Sequence, residues 1–128
     1  MKLLLDTHVF IWWASASENL SEKVLKACTD RRNELFLSVT SAWEMQIKVQ
    51  LGKLELDQSL EELINLQRKT NNIQLLPISF AHILELGNLP SIHGDPFDRL
   101  LIAQAIKENL KLVSKDRVFS NYPVKLLW

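Results

Sequence analysis

The chain contains a single cysteine, Cys28, so no disulfide framework can form within it, and a reducing, cytoplasmic setting suits it. It carries no excess of either charge. Fifteen Lys and Arg residues balance fifteen Asp and Glu residues, so any attraction to nucleic acid must rest on local distribution. No apolar run approaches the length of a membrane span. The three histidines, His8, His82 and His93, lack metal-ligand spacing and read as surface or hydrogen-bonding residues. There are no repeats, no low-complexity tract and no interdomain linker. The apolar start, Met1 to Leu5, faintly imitates a signal peptide, but Asp6 and His8 interrupt it. What is present is ordinary for a soluble globular protein: 128 residues, 47% apolar and 23% charged. That length suits one domain spanning residues 1–128.

Short apolar runs alternate with helical patterns along the chain. Lys2–Leu5 reads as a buried strand ending at Asp6, which is placed to cap a short helix over Thr7–Ala14. Leu20, Val24, Leu25 and Cys28 follow at helical spacing. Leu35–Val39 reads as a second buried strand. Ser41-Ala42-Trp43-Glu44 has the form of a capping box for the next helix, which Gly52 terminates. A helix starting at Asp57 or Ser59, a strand over Ile73–Ile78 and a short helix from Ser79 to Gly87 come next. Asp95-Pro96-Phe97-Asp98 then reads as N-cap, proline at the first helical position, and a carboxylate at N3. The helix behind it is apolar around most of its circumference, which marks it as buried. Strands over Leu110–Ser114 and Val124–Leu127 complete the chain. Strands alternating with helices predict an α/β fold: a three-layer α/β/α domain around a central, mostly parallel sheet of about five strands.

In such a sheet, the loops after the carboxyl ends of the strands and the N-termini of the following helices share one edge, where ligands bind. Four acids occupy positions of this kind: Asp6, Glu44, Asp98 and Asp116. Each singly has a capping explanation. Together they place like charges near one another, which costs free energy unless a cation intervenes. Oxygen donors without cysteine or spaced histidines suit Mg²⁺ or Mn²⁺, and such clusters serve phosphoryl chemistry.

Leu3-Leu4-Leu5-Asp6-Thr7-His8, Ser41-Ala42-Trp43-Glu44, the Asp95–Ala105 block and Val113-Ser114-Lys115-Asp116, in this order, make the chain resemble a PIN-domain protein, with the VapC-like toxins of bacterial type II toxin–antitoxin systems as the nearest subtype. The resemblance spans essentially the whole chain. It implies a Mg²⁺- or Mn²⁺-dependent endoribonuclease, often a homodimer, held inactive by a small antitoxin whose C-terminal tail covers the acidic site. The four family acids carry over to Asp6, Glu44, Asp98 and Asp116, with Asp6 and Asp98 as direct metal ligands. Asp95 is an additional acid and reads as a cap.

Among the neighbouring residues, Thr7 and Ser114 are placed either to orient a carboxylate or to act as caps. Lys48 follows Glu44 at the spacing of a helical ion pair. Lys48, Arg99, Lys115 and Arg117 adjoin the motif acids and are candidates for holding RNA phosphates. Trp12, Trp13 and Trp43 lie among apolar neighbours and read as core or dimer interface. Two other classes stand beside the nuclease. A receiver-like phosphoacceptor would need an acidic pair after the first strand and an aspartate ending the third, where the chain has Asp6-Thr7 and Leu75-Leu76-Pro77. A catalytically inert binding module would keep the fold without cleaving RNA.

Overall fold

A computed structural model describes residues 1–128. Five parallel strands form one sheet: β1 (Lys2–Leu5), β2 (Glu34–Ser38), β3 (Gln74–Leu76), β4 (Lys111–Val113) and β5 (Leu126–Leu127), in the order β3-β2-β1-β4-β5. Six α-helices accompany them: α1 (Thr7–Ser15), α2 (Glu22–Thr29), α3 (Val39–Gln50), α4 (Leu60–Thr70), α5 (Phe80–Leu86) and α6 (Pro96–Lys107).

The strand sequences show why the sheet is covered on both faces. Leu3, Leu4 and Leu5 are all fully buried, the continuous apolar run expected of an interior parallel strand. Because side chains alternate along a strand, they divide between two cores. Leu3, Leu5, Leu35, Leu37, Val113 and Leu127 pack with Val9 and Phe10 of α1, Val24 and Ala27 of α2, Met45 of α3 and Leu63 of α4. Leu4 and Leu112 face the other way, against Leu101, Ile102 and Ala105 of α6 and against Phe119 and Tyr122. The result is the three-layer α/β/α arrangement that the sequence predicts, with all four strand pairings parallel.

One local expectation is overturned. Ser41 does not cap the third helix, which starts at Val39 with Ser38 as N-cap. The Ser38 hydroxyl accepts the Thr40 N–H at 2.9 Å and donates to Gln104 Oε1 on α6. Strand β2 therefore turns into α3 without a loop, because its last residue is already the cap. Ser41 falls inside the helix, where its buried hydroxyl has no partner, and Glu44 moves from the first turn to the second. Two short 3₁₀ helices, Ser17–Asn19 and Arg117–Asn121, also escape sequence periodicity. Gly52 does follow the end of α3, with a φ of +70° that favours glycine there.

Candidate active site

The order of the sheet reverses between β1 and β4, and the candidate acids gather at the carboxyl ends of these two strands. Asp6, the first residue after β1, caps α1: its Oδ1 accepts the Val9 N–H at 2.8 Å. Its Oδ2 accepts the hydroxyl of Ser114, the first residue after β4. Adjacent parallel strands in fixed register bring these two residues together from opposite ends of the chain. Only 8% of Asp6 is exposed. Burial pushes its carboxyl above the ordinary carboxylate range; the Ser114 and Val9 hydrogen bonds oppose that, and the Glu44 charge adds to it.

Glu44 reaches the same place from α3. Thr7 Oγ1 donates to Glu44 Oε1 at 2.6 Å, so the residue next to Asp6 holds the second acid. The other oxygen, Oε2, lies 3.3 Å from Lys48 Nζ, the helical pair that the spacing predicts. Asp98 opens α6 at N3. Burial is the largest cause lifting its carboxyl to about 6, followed by the Asp95 charge; the His93 hydrogen bond opposes the rise, and Glu44 again adds to it. Glu44 thus acts electrostatically on both Asp6 and Asp98, which links three of the four acids.

Asp95 is the cap that its sequence position implies. Its Oδ1 accepts the N–H groups of Phe97 at 2.9 Å and Asp98 at 3.0 Å. Replacing it by alanine is expected to lower stability by about 0.5–2 kcal/mol, and by serine much less, with turnover retained in the serine variant. Denaturant melts and a cleavage assay check this. An Asp95→Ser variant as inactive as Asp98→Asn would place Asp95 among the reacting groups.

Asp116 stands slightly apart. It is exposed, caps the second 3₁₀ helix, and its own N–H donates to Ser114 Oγ at 3.1 Å. With Asp6, His8, Trp12 and Lys115 it lines a cleft of about 320 Å³. Ser114 therefore touches two of the acids at once.

No group of three or more His, Cys, Asp and Glu side chains converges tightly enough to hold a metal ion by protein ligands alone. The donors present nevertheless fit a hard divalent cation. They are carboxylates, and Mg²⁺ commonly takes one or two carboxylates, keeping waters and substrate phosphates in its other positions.

The candidate cations and aromatics divide. Arg99 is committed to the fold, its Nη1 donating to Pro90 O at 2.8 Å and Tyr122 Oη at 3.2 Å. Lys115 and Arg117 are exposed. Trp12 and Trp13 pack half-buried against the core as expected. Trp43 does not belong to the core: it is 57% exposed, with its ring edge-on to Phe97 at 4.9 Å. It sits one residue before Glu44 on a helix whose buried side is marked by Met45, so its side chain is left outside beside Phe97 of α6. The buried thiol of Cys28, pushed up to about 11 by desolvation, is unreactive packing.

Two features are absent from the sequence reading. His93 Nε2 lies 3.3 Å from Asp98 Oδ2, and His93 Nδ1 lies 2.6 Å from Tyr122 Oη. Gln104, fully buried within the apolar stretch Leu100–Ala105 of α6, takes the Ser38 hydroxyl and donates to Pro77 O at 3.3 Å. The adjacency of His93 to the acidic block is the only sequence signal for the first. A lone polar residue in a buried helix is the signal for the second.

The PIN domain family model matches residues 3–125. Ribonuclease VapC22 of Mycobacterium tuberculosis (strain ATCC 25618 / H37Rv) is 31% identical over 116 residues, covering 90% of this chain and 87% of that protein. The fold is similar to VapBC2 from Rickettsia felis, solved bound to a DNA fragment from their promoter, with a TM-score of 0.76 and 18% identity over 99% of this chain and 98% of that one. It is similar also to DNA-bound VapBC from Salmonella typhimurium, with a TM-score of 0.69 and 16% identity over 99% and 97% of the two chains.

Proposed function

This chain belongs to the PIN-domain family, and from that premise we propose that it is a metal-dependent endoribonuclease, the toxin of a type II toxin–antitoxin pair. The observation that carries the reading is the acidic edge itself. Asp6 is held by Ser114 across the β1–β4 reversal, with Glu44 tied to Thr7 beside it and Asp98 within their electrostatic reach. A binding module has no need to hold three carboxylates together at a cost in repulsion. The similarity to a protein named as a ribonuclease supports the reaction class.

Asp6 and Asp98 are the residues that would hold Mg²⁺ or Mn²⁺ directly, with Glu44 and Asp116 completing the acid set. When bound, such an ion supplies Lewis acidity toward the phosphodiester and its attacking water. The chain's own part is positioning. Ser114 fixes one oxygen of Asp6, Thr7 fixes one oxygen of Glu44, and Lys48 offsets part of the charge that would repel RNA. Lys115 and Arg117, both exposed beside Asp116, are the cations left free to meet phosphates.

A cognate antitoxin whose tail covers this edge is the proposed protein partner, in line with a toxin–antitoxin complex from Klebsiella pneumoniae among the similar folds. A homodimer is supported by α5, whose Phe80 and Leu84 are 75% and 60% exposed. A cytoplasmic location follows from an RNA substrate and the single reduced cysteine.

The test is a mixed RNA pool incubated with purified protein. Cleavage is expected with millimolar Mg²⁺ or Mn²⁺ and is expected to stop on adding chelator. Cleavage indifferent to chelator, or none under any metal condition, overturns the reading.

A further inference from the structure

Four groups meet behind Asp98, and counting their protons fixes how they are arranged. Tyr122, which is 5% exposed, directly follows the second 3₁₀ helix. Its phenolic oxygen accepts the Arg99 Nη1–H at 3.2 Å and the His93 backbone N–H at 3.3 Å. Both of these partners can only donate, so they use the oxygen's two acceptor sites. The one phenolic proton is then directed at His93 Nδ1, 2.6 Å away. That nitrogen must accept, so in the neutral ring the proton is on Nε2. Nε2 lies 3.3 Å from Asp98 Oδ2. The Arg99 side chain is itself anchored by Pro90 O at 2.8 Å, and the Tyr122 and His93 rings pack edge to face at 5.4 Å. Asp98 Oδ1 has no hydrogen-bond partner.

We propose that His93 is a positioning residue for Asp98: Tyr122 locks its ring as the Nε2–H tautomer, which holds Oδ2 and leaves Oδ1 free to meet a cation. This rests on the reading of Asp98 as a metal ligand. Outer hydrogen bonds of this kind orient ligands and raise metal affinity. His8 and His82 play no such part. His8 is exposed, and His82 is buried against Ser79 and Glu108.

The test uses the whole protein and two kinds of readout. Nitrogen-15 NMR of the metal-free protein is expected to show His93 with a pyrrole-type Nε2 and a pyridine-type Nδ1, and Tyr122→Phe is expected to lose that single-tautomer signature. Mn²⁺ affinity, titrated by binding rather than turnover, is expected to fall roughly tenfold in Tyr122→Phe and in His93→Ala. His93→Gln, whose amide can donate from near the Nε2 position, is expected to recover most of the affinity. In turnover, kcat should fall more than KM rises. An Nδ1–H tautomer in the unaltered protein overturns the proposal. So does unchanged Mn²⁺ affinity in Tyr122→Phe and His93→Ala where Asp98→Asn has lost it. Mn²⁺ binding that survives Asp98→Asn overturns instead the reading of Asp98 as a ligand, and this proposal with it.

Discussion

Asp6→Asn and Asp98→Asn are each expected to reduce metal-dependent RNA cleavage on the order of 10²–10³-fold or more, the scale of losing one preorganised electrostatic group at a reacting centre. Both variants should fold. Asparagine caps helices about as well as aspartate, so residue 6 can still accept the Val9 N–H that Asp6 takes at 2.8 Å. Its amide can donate to the Ser114 oxygen, reversing a hydrogen bond that Ser114 now donates. At residue 98 the volume is nearly unchanged and the Asp95 cap remains. Growth arrest on expression is expected to disappear in both variants. The check is cleavage of an RNA pool at saturating Mn²⁺ alongside circular dichroism and thermal melts. Undiminished cleavage by both well-folded variants would falsify the site assignment.

The second large effect is on stability. Without metal, Asp98→Asn is expected to melt at or above the wild-type temperature. Burial and the charges of Asp95 and Glu44 raise the Asp98 carboxyl from 3.8 to about 6, which means that the fold disfavours its ionised form. The sign follows from proton binding. Below about pH 3.8 the group is protonated in both states and costs nothing. Between there and about pH 6 the unfolded chain has released the proton while the folded protein keeps it, so stability falls as pH rises. Above about pH 6 the full penalty is present. The advantage of Asp98→Asn over wild type should therefore grow from near zero in acid to a plateau near neutrality. With solvent screening, about 1 kcal/mol remains. Against it stands the lost charge–dipole term at N3, about 0.3–1 kcal/mol. Burial of the charge and its repulsion by Asp95 and Glu44 raise the Asp98 carboxyl while one helix terminus favours its ionised form, so relief of that combined penalty wins narrowly. Adding millimolar Mn²⁺ should raise the wild-type melting temperature through binding to the folded state and leave the variant nearly unmoved. A wild type indifferent to Mn²⁺ would mean that these acids do not form a metal site.

Much of the fold is legible in the sequence. Leu3-Leu4-Leu5 and Leu35-Phe36-Leu37 are too uniformly apolar for a half-solvated strand, and helical patterns between them leave a parallel sheet as the consistent solution. Asp95-Pro96 marks a helix start by chemistry that needs only neighbouring residues: a side-chain acceptor followed by a ring that lacks an N–H. Asp6, Asp98 and Asp116 can be placed from the sequence because each follows a strand or opens a helix, and a parallel sheet puts such places on one edge; Glu44, in the second turn of α3, is tied to that edge by Thr7. The start of α3 is ambiguous in the sequence because Ser41 and Glu44 fit a local capping pattern as well as Ser38 does. What selects Ser38 is Gln104, 66 residues away in the chain, which receives its hydroxyl.

The strands, their alternation with helices and the shared edge follow from residues a few positions apart, because hydrophobic period and capping are local. Which hydroxyl holds which carboxylate depends on the packed fold. The Ser114–Asp6, Thr7–Glu44 and Tyr122–His93–Asp98 contacts join residues between 5 and 108 positions apart. Such pairs form only once strand register and helix docking have set their distance, and no local spacing carries that information. For the same reason Trp43, which reads as core or dimer interface in the sequence, lies outside the core and stands exposed in the fold. Its apolar neighbours in the chain lie on the other side of the helix.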